Sequence, residues 1–105
     1  MALLTLNNSL ADMGGSPVTM VLQIELDGLV VGGYGKLLWA GADLQIEPRA
    51  RGCVLRMTAA TGGQSSFYVD AEDLGGRNGV RPFVAWLEQG ASRAGASVAV
   101  LRPAA

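Results

Sequence analysis

The sequence contains no histidine and a single cysteine, Cys53, and these two shortages exclude several common kinds of site. Without an imidazole, the usual Ser-His-Asp and Cys-His arrangements lack the group that takes the nucleophile's proton near neutral pH. One thiol and no imidazole also leave an ordinary zinc site without enough soft ligands. The lone cysteine excludes a disulfide within the chain and favours a reducing compartment. We therefore expect no metal site and no catalysis that depends on histidine.

A long apolar run and an excess of positive charge are missing as well. No apolar run reaches the roughly 18 residues that a transmembrane helix needs, and residues 1–10 lack the basic start and apolar stretch of a signal peptide. We expect a cytoplasmic protein with no membrane insertion, and export by a route without a cleavable signal is the alternative. The net charge of −1 argues against nucleic-acid binding, because phosphate contacts need a basic surface.

Charged residues are scarce, at 16% of the chain, against roughly 25% in an average soluble domain. Hydrophobic residues make up 50% but aromatic residues only 6%, so the core must be mainly aliphatic. A length of 105 residues predicts one β-rich domain over residues 1–105. In a chain this apolar, either the fold covers both faces of its sheet or another subunit covers one surface.

The clearest pattern lies between Val18 and Trp39. Apolar residues alternate with more polar ones from Val18 to Leu26, which is the period of a half-buried strand. Asp27-Gly28 then predicts a two-residue turn into a second strand that runs toward Trp39. We therefore predict a β-hairpin over this segment.

The register of this hairpin predicts an interface. A two-residue turn sets Val21 opposite Tyr34 on one face of the pair, with Val30 beside them. These three residues form an apolar patch that needs a cover. Trp39, at the end of the second strand, belongs either to the core or to the rim of the same surface. The predicted interface residues are therefore Val21, Val30, Tyr34 and Trp39.

The rest of the chain predicts further short strands and one helix. Alternating residues indicate strands near residues 5, 43–47, 53–59, 65–69 and 97–102. Pro82 begins a helix that carries Phe83, Trp86 and Leu87 at the spacing of one apolar face. The predicted fold is mainly antiparallel β, a β-sandwich or barrel-like fold of about six to seven strands, with one short helix near residues 82–94. The alternative is an α+β fold with a single sheet covered by that helix.

Three segments carry residue types that suit chemistry, but a structural role fits each of them better. Glu25 and Asp27 form a carboxylate pair, yet they lie on the solvent side of a well-patterned strand. The acidic loop from Asp70 to Asp73 lacks EF-hand ligands at the required positions, so we expect a solvated turn or a helix cap. The glycine-rich residues 32–36 do not match a Walker loop, and we expect these glycines to serve packing within a strand.

The distribution of charge along the chain is uneven. Five acidic residues and one lysine precede Pro48, whereas seven arginines and four acidic residues follow it. We expect the fold to interleave the two halves into a mixed surface. The alternative is a molecule whose acidic and basic faces meet in a self-assembly.

These observations predict a non-catalytic module, with no catalytic, cofactor-binding or metal-binding residue, that self-associates or docks on a protein partner. The alternative is a β-barrel or sandwich that encloses an apolar small molecule, in space left where Gly33 and Gly35 face Leu22 and Met20. A small enzyme that uses tyrosines or carboxylates is a third hypothesis, and it requires a cleft with convergent polar groups.

Overall fold

The computed structural model describes residues 2–12 and 16–101, and over these residues the chain is mainly β with one α-helix, as predicted. Eight strands are found in this part of the chain, and they form one sheet that curls into a half-barrel. The strands are β1 (Leu4–Asp12), β2 (Val18–Ile24), β3 (Gly28–Val31), β4 (Gly35–Leu38), β5 (Asp43–Arg49), β6 (Gly52–Thr58), β7 (Gln64–Asp70) and β8 (Ser97–Val100). Two short 3-10 helices, Ala71–Leu74 and Arg77–Gly79, lead into the α-helix α1 (Val80–Arg93).

The strand order in the sheet is β4-β3-β2-β1-β7-β6-β5-β8. Neighbouring strands are antiparallel except β5 and β8, which pair in parallel after the chain crosses over through α1. Alternate residues of the strands point into the curl of the sheet and are buried there. The largest of them are Leu6, Leu22, Leu29, Leu44, Ile46, Leu55, Met57 and Phe67. The helix packs against β5 and β8 and adds Phe83, Val84, Leu87 and Ala91 to this core.

The predicted register of the first hairpin is wrong by two residues. Leu22 pairs with Val31 instead of Gly33. The turn does not consist of Asp27-Gly28, because residues 25–27 form the loop and the Glu25 amide donates to the carbonyl of Gly28 at 2.9 Å. A shift of two residues keeps every side chain on its predicted face, since side chains alternate with a period of two.

Gly28 lies in β3 for a steric reason. A Cβ at this position would lie 2.5 Å from the carbonyl oxygen of Leu37, so only glycine allows β4 to approach so closely. The glycine next to the aspartate therefore serves strand pairing, and the chain reverses direction just before it.

The glycine-rich residues 32–36 do not continue the strand, which corrects the prediction for this segment. Residues 32–34 form a turn, and β4 runs back along β3. Gly33 has φ of 81°, a conformation that side chains other than glycine rarely adopt. A Cβ at Gly33 would meet no atom within 4 Å, so turn geometry and not packing requires glycine here. This extra turn is one reason why the sheet has more strands than predicted.

The second hairpin and the helix agree with their predictions. Residues 59–63 form a loop between β6 and β7, long enough to place Leu55 opposite Phe67 with both side chains buried. Helix α1 spans Val80–Arg93, continues through Gly90 and ends before Gly95, which has φ of 103°. Among the residues that the structure describes, no helix is both long enough and apolar enough to span a bilayer.

Candidate functional site

An open apolar groove lies between the second half of α1 and the ends of strands β2 and β4. Its volume is about 640 Å³. The helix lines it with Trp86, Leu87 and Arg93, among others. The facing wall comes from the end of β2, the loop of residues 25–27 and the end of β4. Among the strands that the structure describes, the helix packs most closely against β8 and β5, and the groove lies on the side of the half-barrel that the helix leaves open.

Trp39 lines the groove from within the core and holds the adjacent loop in place. Its side chain is buried, and the indole Nε1 donates to the carbonyl oxygen of Glu25 at 3.1 Å. Its backbone amide donates to the carbonyl oxygen of Asp27 at 3.0 Å. The two hydrogen bonds fix both ends of the loop whose central residue is Leu26.

Large exposed apolar side chains are concentrated around this groove. Leu26, at the tip of the loop, is 74% exposed, more than any other large hydrophobic residue in the described part of the chain. Leu3, Leu38 and Trp86 also line the groove and are exposed. Contiguous exposed apolar surface of this kind is typical of sites that bind a protein or a ligand.

The two walls of the groove differ in charge. On the loop side, Lys36 forms salt bridges with Glu25 at 2.9 Å and with Asp27 at 2.5 Å. The hydrogen bond from Lys36 lowers the pKa of Asp27, and the bonds to Asp27 and Glu25 raise the pKa of Lys36. On the helix side, Arg93 forms no salt bridge within the described residues. The loop wall therefore carries a net negative charge and the helix wall a positive one.

The residues predicted as an interface are only partly brought together. Val21 and Val30 share the outer face of the sheet, where Val21 is exposed and Val30 half-buried. Tyr34 is exposed but lies in the turn after β3, so it is not opposite Val21 as predicted. The residue opposite Val21 is Gly32, whose amide donates to the carbonyl oxygen of Val21 at 3.0 Å. Trp39 is buried in the core, one of the two places expected for it, and is separate from that outer face.

Of the apolar residues that line the groove, Trp39 was a predicted interface residue, whereas Leu26 and Trp86 were expected elsewhere. Leu26 belonged to a predicted strand, and Trp86 to the buried face of the helix. The structure places Leu26 in a loop and leaves Trp86 41% exposed. The sequence did contain one indication of the exposure of Trp86. Phe83 and Leu87 already form an apolar face of the helix, and Trp86 extends this face beyond the part that the core covers.

Charged side chains away from the groove form hydrogen bonds within the fold. Glu47 accepts from Arg56 at 2.8 Å and from Arg49 at 3.1 Å, and these bonds lower its pKa. Asp70 caps the first 3-10 helix by accepting from the Glu72 amide at 2.9 Å, and a helix cap was one of the two roles expected for this segment. Asp73 accepts hydrogen bonds from the backbone amide and the side-chain amide of Asn8, at 2.8 and 3.0 Å.

In the part of the chain that the structure describes, neither a reactive thiol nor a metal cluster is found near these charges. Cys53 is buried, and burial raises the pKa of its thiol to about 12, so the reactive thiolate is strongly disfavoured. Within residues 2–12 and 16–101, no three Cys, Asp or Glu side chains are grouped so that they could hold a metal ion. The groove is therefore the strongest candidate for a functional site among the described residues.

No protein-family model matches this chain, and a search of curated proteins finds no significant relative. The groove and the side chains that line it are therefore the features that point to a function.

Proposed function

We propose that this protein is a non-catalytic interaction module and that the groove is its protein-binding surface. One observation supports this most: Leu3, Leu26, Leu38 and Trp86 are all exposed around a single groove. Covering a fully exposed leucine side chain contributes roughly 1.5–3 kcal/mol. A partner that covers Leu26 and Leu38, both more than half exposed, therefore gains a substantial part of a binding free energy.

The groove also defines the chemistry of the partner. Protein interfaces commonly have an apolar centre and a polar rim that excludes water and sets the orientation. Here the apolar side chains form the centre, while Asp27 and Arg93 provide charges of opposite sign at the walls. The partner surface is expected to present an apolar side chain flanked by charges that complement these two.

Photo-cross-linking tests this function directly. A benzophenone amino acid in place of Leu26 is compared, in the host cell, with the same amino acid in place of Val21, which is exposed on the outer face. We expect a protein adduct from position 26, little from position 21, and loss of the adduct when Leu38→Asp is added. The function is wrong if position 26 gives no adduct, if both positions react equally, or if Leu38→Asp has no effect.

A second candidate function is binding of an apolar small molecule. The groove volume of about 640 Å³ falls within the roughly 300–1,000 Å³ of small-molecule pockets. Arg93 offers a cation for an acidic group on such a ligand. Native mass spectrometry of protein purified from its own host tests this. A retained small mass that Leu38→Asp removes favours the ligand, and the bare chain mass counts against it.

A further inference from the structure

We propose that the partner is a second copy of this chain, which seats its own Leu26 in the groove. In this arrangement Asp27 of each copy lies against Arg93 of the other. The inference rests on the proposed function and goes further, because it names the occupant of the groove and the charges that orient it.

The same surface presents both a projection and a cavity. Leu26 projects from the loop between β2 and β3, and the groove lies directly beside that loop. In a twofold dimer the same surface patch of each copy contacts the other copy. The patch must therefore contain both a projecting group and the cavity that receives it. A projecting leucine beside an apolar groove meets this requirement, because a twofold rotation places each leucine over the other copy's groove.

The projecting loop is held rigidly before any partner binds. The two hydrogen bonds from Trp39 hold the carbonyl groups of Glu25 and Asp27, at 3.1 and 3.0 Å, on either side of Leu26. A binding segment that is already ordered loses little conformational entropy when it docks. The loop is therefore suited to insert into a groove as a preformed element.

Charge complementarity favours a second copy over an unrelated apolar segment. The loop wall carries two carboxylates and one ammonium group, from Glu25, Asp27 and Lys36. The helix wall carries the guanidinium of Arg93, which forms no salt bridge within the described residues. A twofold rotation sets the negative wall of each copy against the positive wall of the other, so two complementary contacts form at once. Binding of an unrelated apolar peptide does not require the charges of both Asp27 and Arg93.

Reversal of these two charges tests the proposal. The association constant of the wild-type chain is measured by sedimentation equilibrium and compared with those of Asp27→Arg, Arg93→Asp and the double variant. We expect a dimer for the wild type, with a mass of twice 10.8 kDa. Each single reversal is expected to weaken dimerisation by about tenfold or more, because it sets like charges together. The double variant is expected to recover most of the loss, since it restores opposite charges.

Two controls separate the possible failures. Circular dichroism confirms that each variant keeps its fold, and both substituted side chains are exposed. Val21→Asp places a charge on the outer face and is expected to leave dimerisation unchanged. A wild-type chain that remains monomeric overturns the second-copy proposal, as does a dimer that the double variant fails to restore.

The cross-link from position 26 distinguishes this failure from failure of the proposed function. If the chain is monomeric but position 26 still gives an adduct that depends on Leu38, the groove binds a different protein. If Val21→Asp breaks the dimer and the charge reversals do not, the dimer interface is the outer face and the second-copy proposal is wrong, and the cross-link from position 26 then decides whether the groove binds another protein.

Discussion

The indole Nε1 of Trp39 donates a hydrogen bond to the carbonyl oxygen of Glu25 at 3.1 Å and so ties a surface loop to the core. The indole is only 1% exposed, whereas Leu26, the next residue after Glu25, is 74% exposed. A buried aromatic side chain therefore holds in a defined position the large hydrophobic residue that is most exposed among residues 2–12 and 16–101. This relationship gives the groove a rigid rim.

Substitution of Trp39 by phenylalanine tests how much this hydrogen bond contributes. Trp39→Phe removes the indole N–H and some buried volume, so the free energy of unfolding is expected to fall by about 1–3 kcal/mol. Urea unfolding followed by circular dichroism measures this. Trp86→Phe is the matched control, and at the same low protein concentration it is expected to change stability by less than about 0.5 kcal/mol. Equal losses in the two variants would contradict this role of Trp39.

Replacement of Ser9 by alanine is expected to stabilise the fold. Its side chain is buried where the β1–β2 register shifts, and its Oγ has no hydrogen-bond partner within the described residues. A buried hydroxyl without a partner costs about 1–3 kcal/mol, so Ser9→Ala is expected to raise the free energy of unfolding by about 1 kcal/mol. Thermal and urea unfolding measure the change. A clear loss of stability would show that the hydroxyl is bonded in solution.

The Cys53 thiol is expected to resist modification in the native protein. It is fully buried in β6, and its pKa is raised to about 12 by desolvation. Labelling by Ellman's reagent at neutral pH is therefore expected to proceed only as fast as the protein unfolds. The same reagent in denaturant, where the thiol is exposed, provides the reference rate. Rapid labelling without denaturant would mean that the strand opens locally.

The salt bridges on the surface predict that both acid and base lower the stability of the fold. The Lys36 ammonium lowers the pKa of Asp27 from its ordinary 3.8, so the stability that Asp27 contributes is present above that value. It is lost as the pH falls through the lowered pKa of the folded state. The pKa of Lys36 is raised from 10.5, so its contribution is present below 10.5 and is lost as the pH rises through the raised pKa.

Carbon NMR of the carboxyl groups measures the acid side of this prediction. Lys36→Gln is expected to raise the pKa of Asp27 and to leave that of Glu47 unchanged, since Glu47 bonds to Arg56 and Arg49. Arg56→Gln is the matched control and is expected to raise the pKa of Glu47 alone. If Lys36→Gln does not move the pKa of Asp27, the salt bridge does not persist in solution.

Strong periodicities predicted much of the fold. The alternation from Val18 predicted strand β2, and the spacing of Phe83 and Leu87 predicted the helix, because the period of the side chains follows directly from the backbone geometry. The turns were less predictable. Asp27-Gly28 and Gly32-Gly33 both resemble turn sequences, and the chain reverses direction near both. Gly28 itself belongs to β3 and not to the turn, because Leu37 of β4 approaches it closely. Only the pairing of β4 with β3 decides this, and it is not visible in the local sequence.

The groove was harder to predict than the strands for a related reason. Its apolar residues come from distant parts of the chain, including Leu3, Leu38 and Trp86. Alternation shows which residues share a face, but it does not show where the curl of a sheet leaves a face uncovered by the helix. The shared face of Val21 and Val30 could be predicted because the two residues lie on neighbouring strands, whereas the groove depends on the placement of α1 against β5 and β8.

Isotope-filtered NMR on a mixture of labelled and unlabelled chains shows whether Leu26 of one copy lies in the groove of another. It detects only contacts between copies, and Leu26 and Trp86 line the same groove. A dimer formed through the groove is expected to give intermolecular nuclear Overhauser effects from the Leu26 methyl groups to the Trp86 ring. Intermolecular effects from Val21 and Tyr34 in place of these, or none at concentrations well above micromolar, would contradict it.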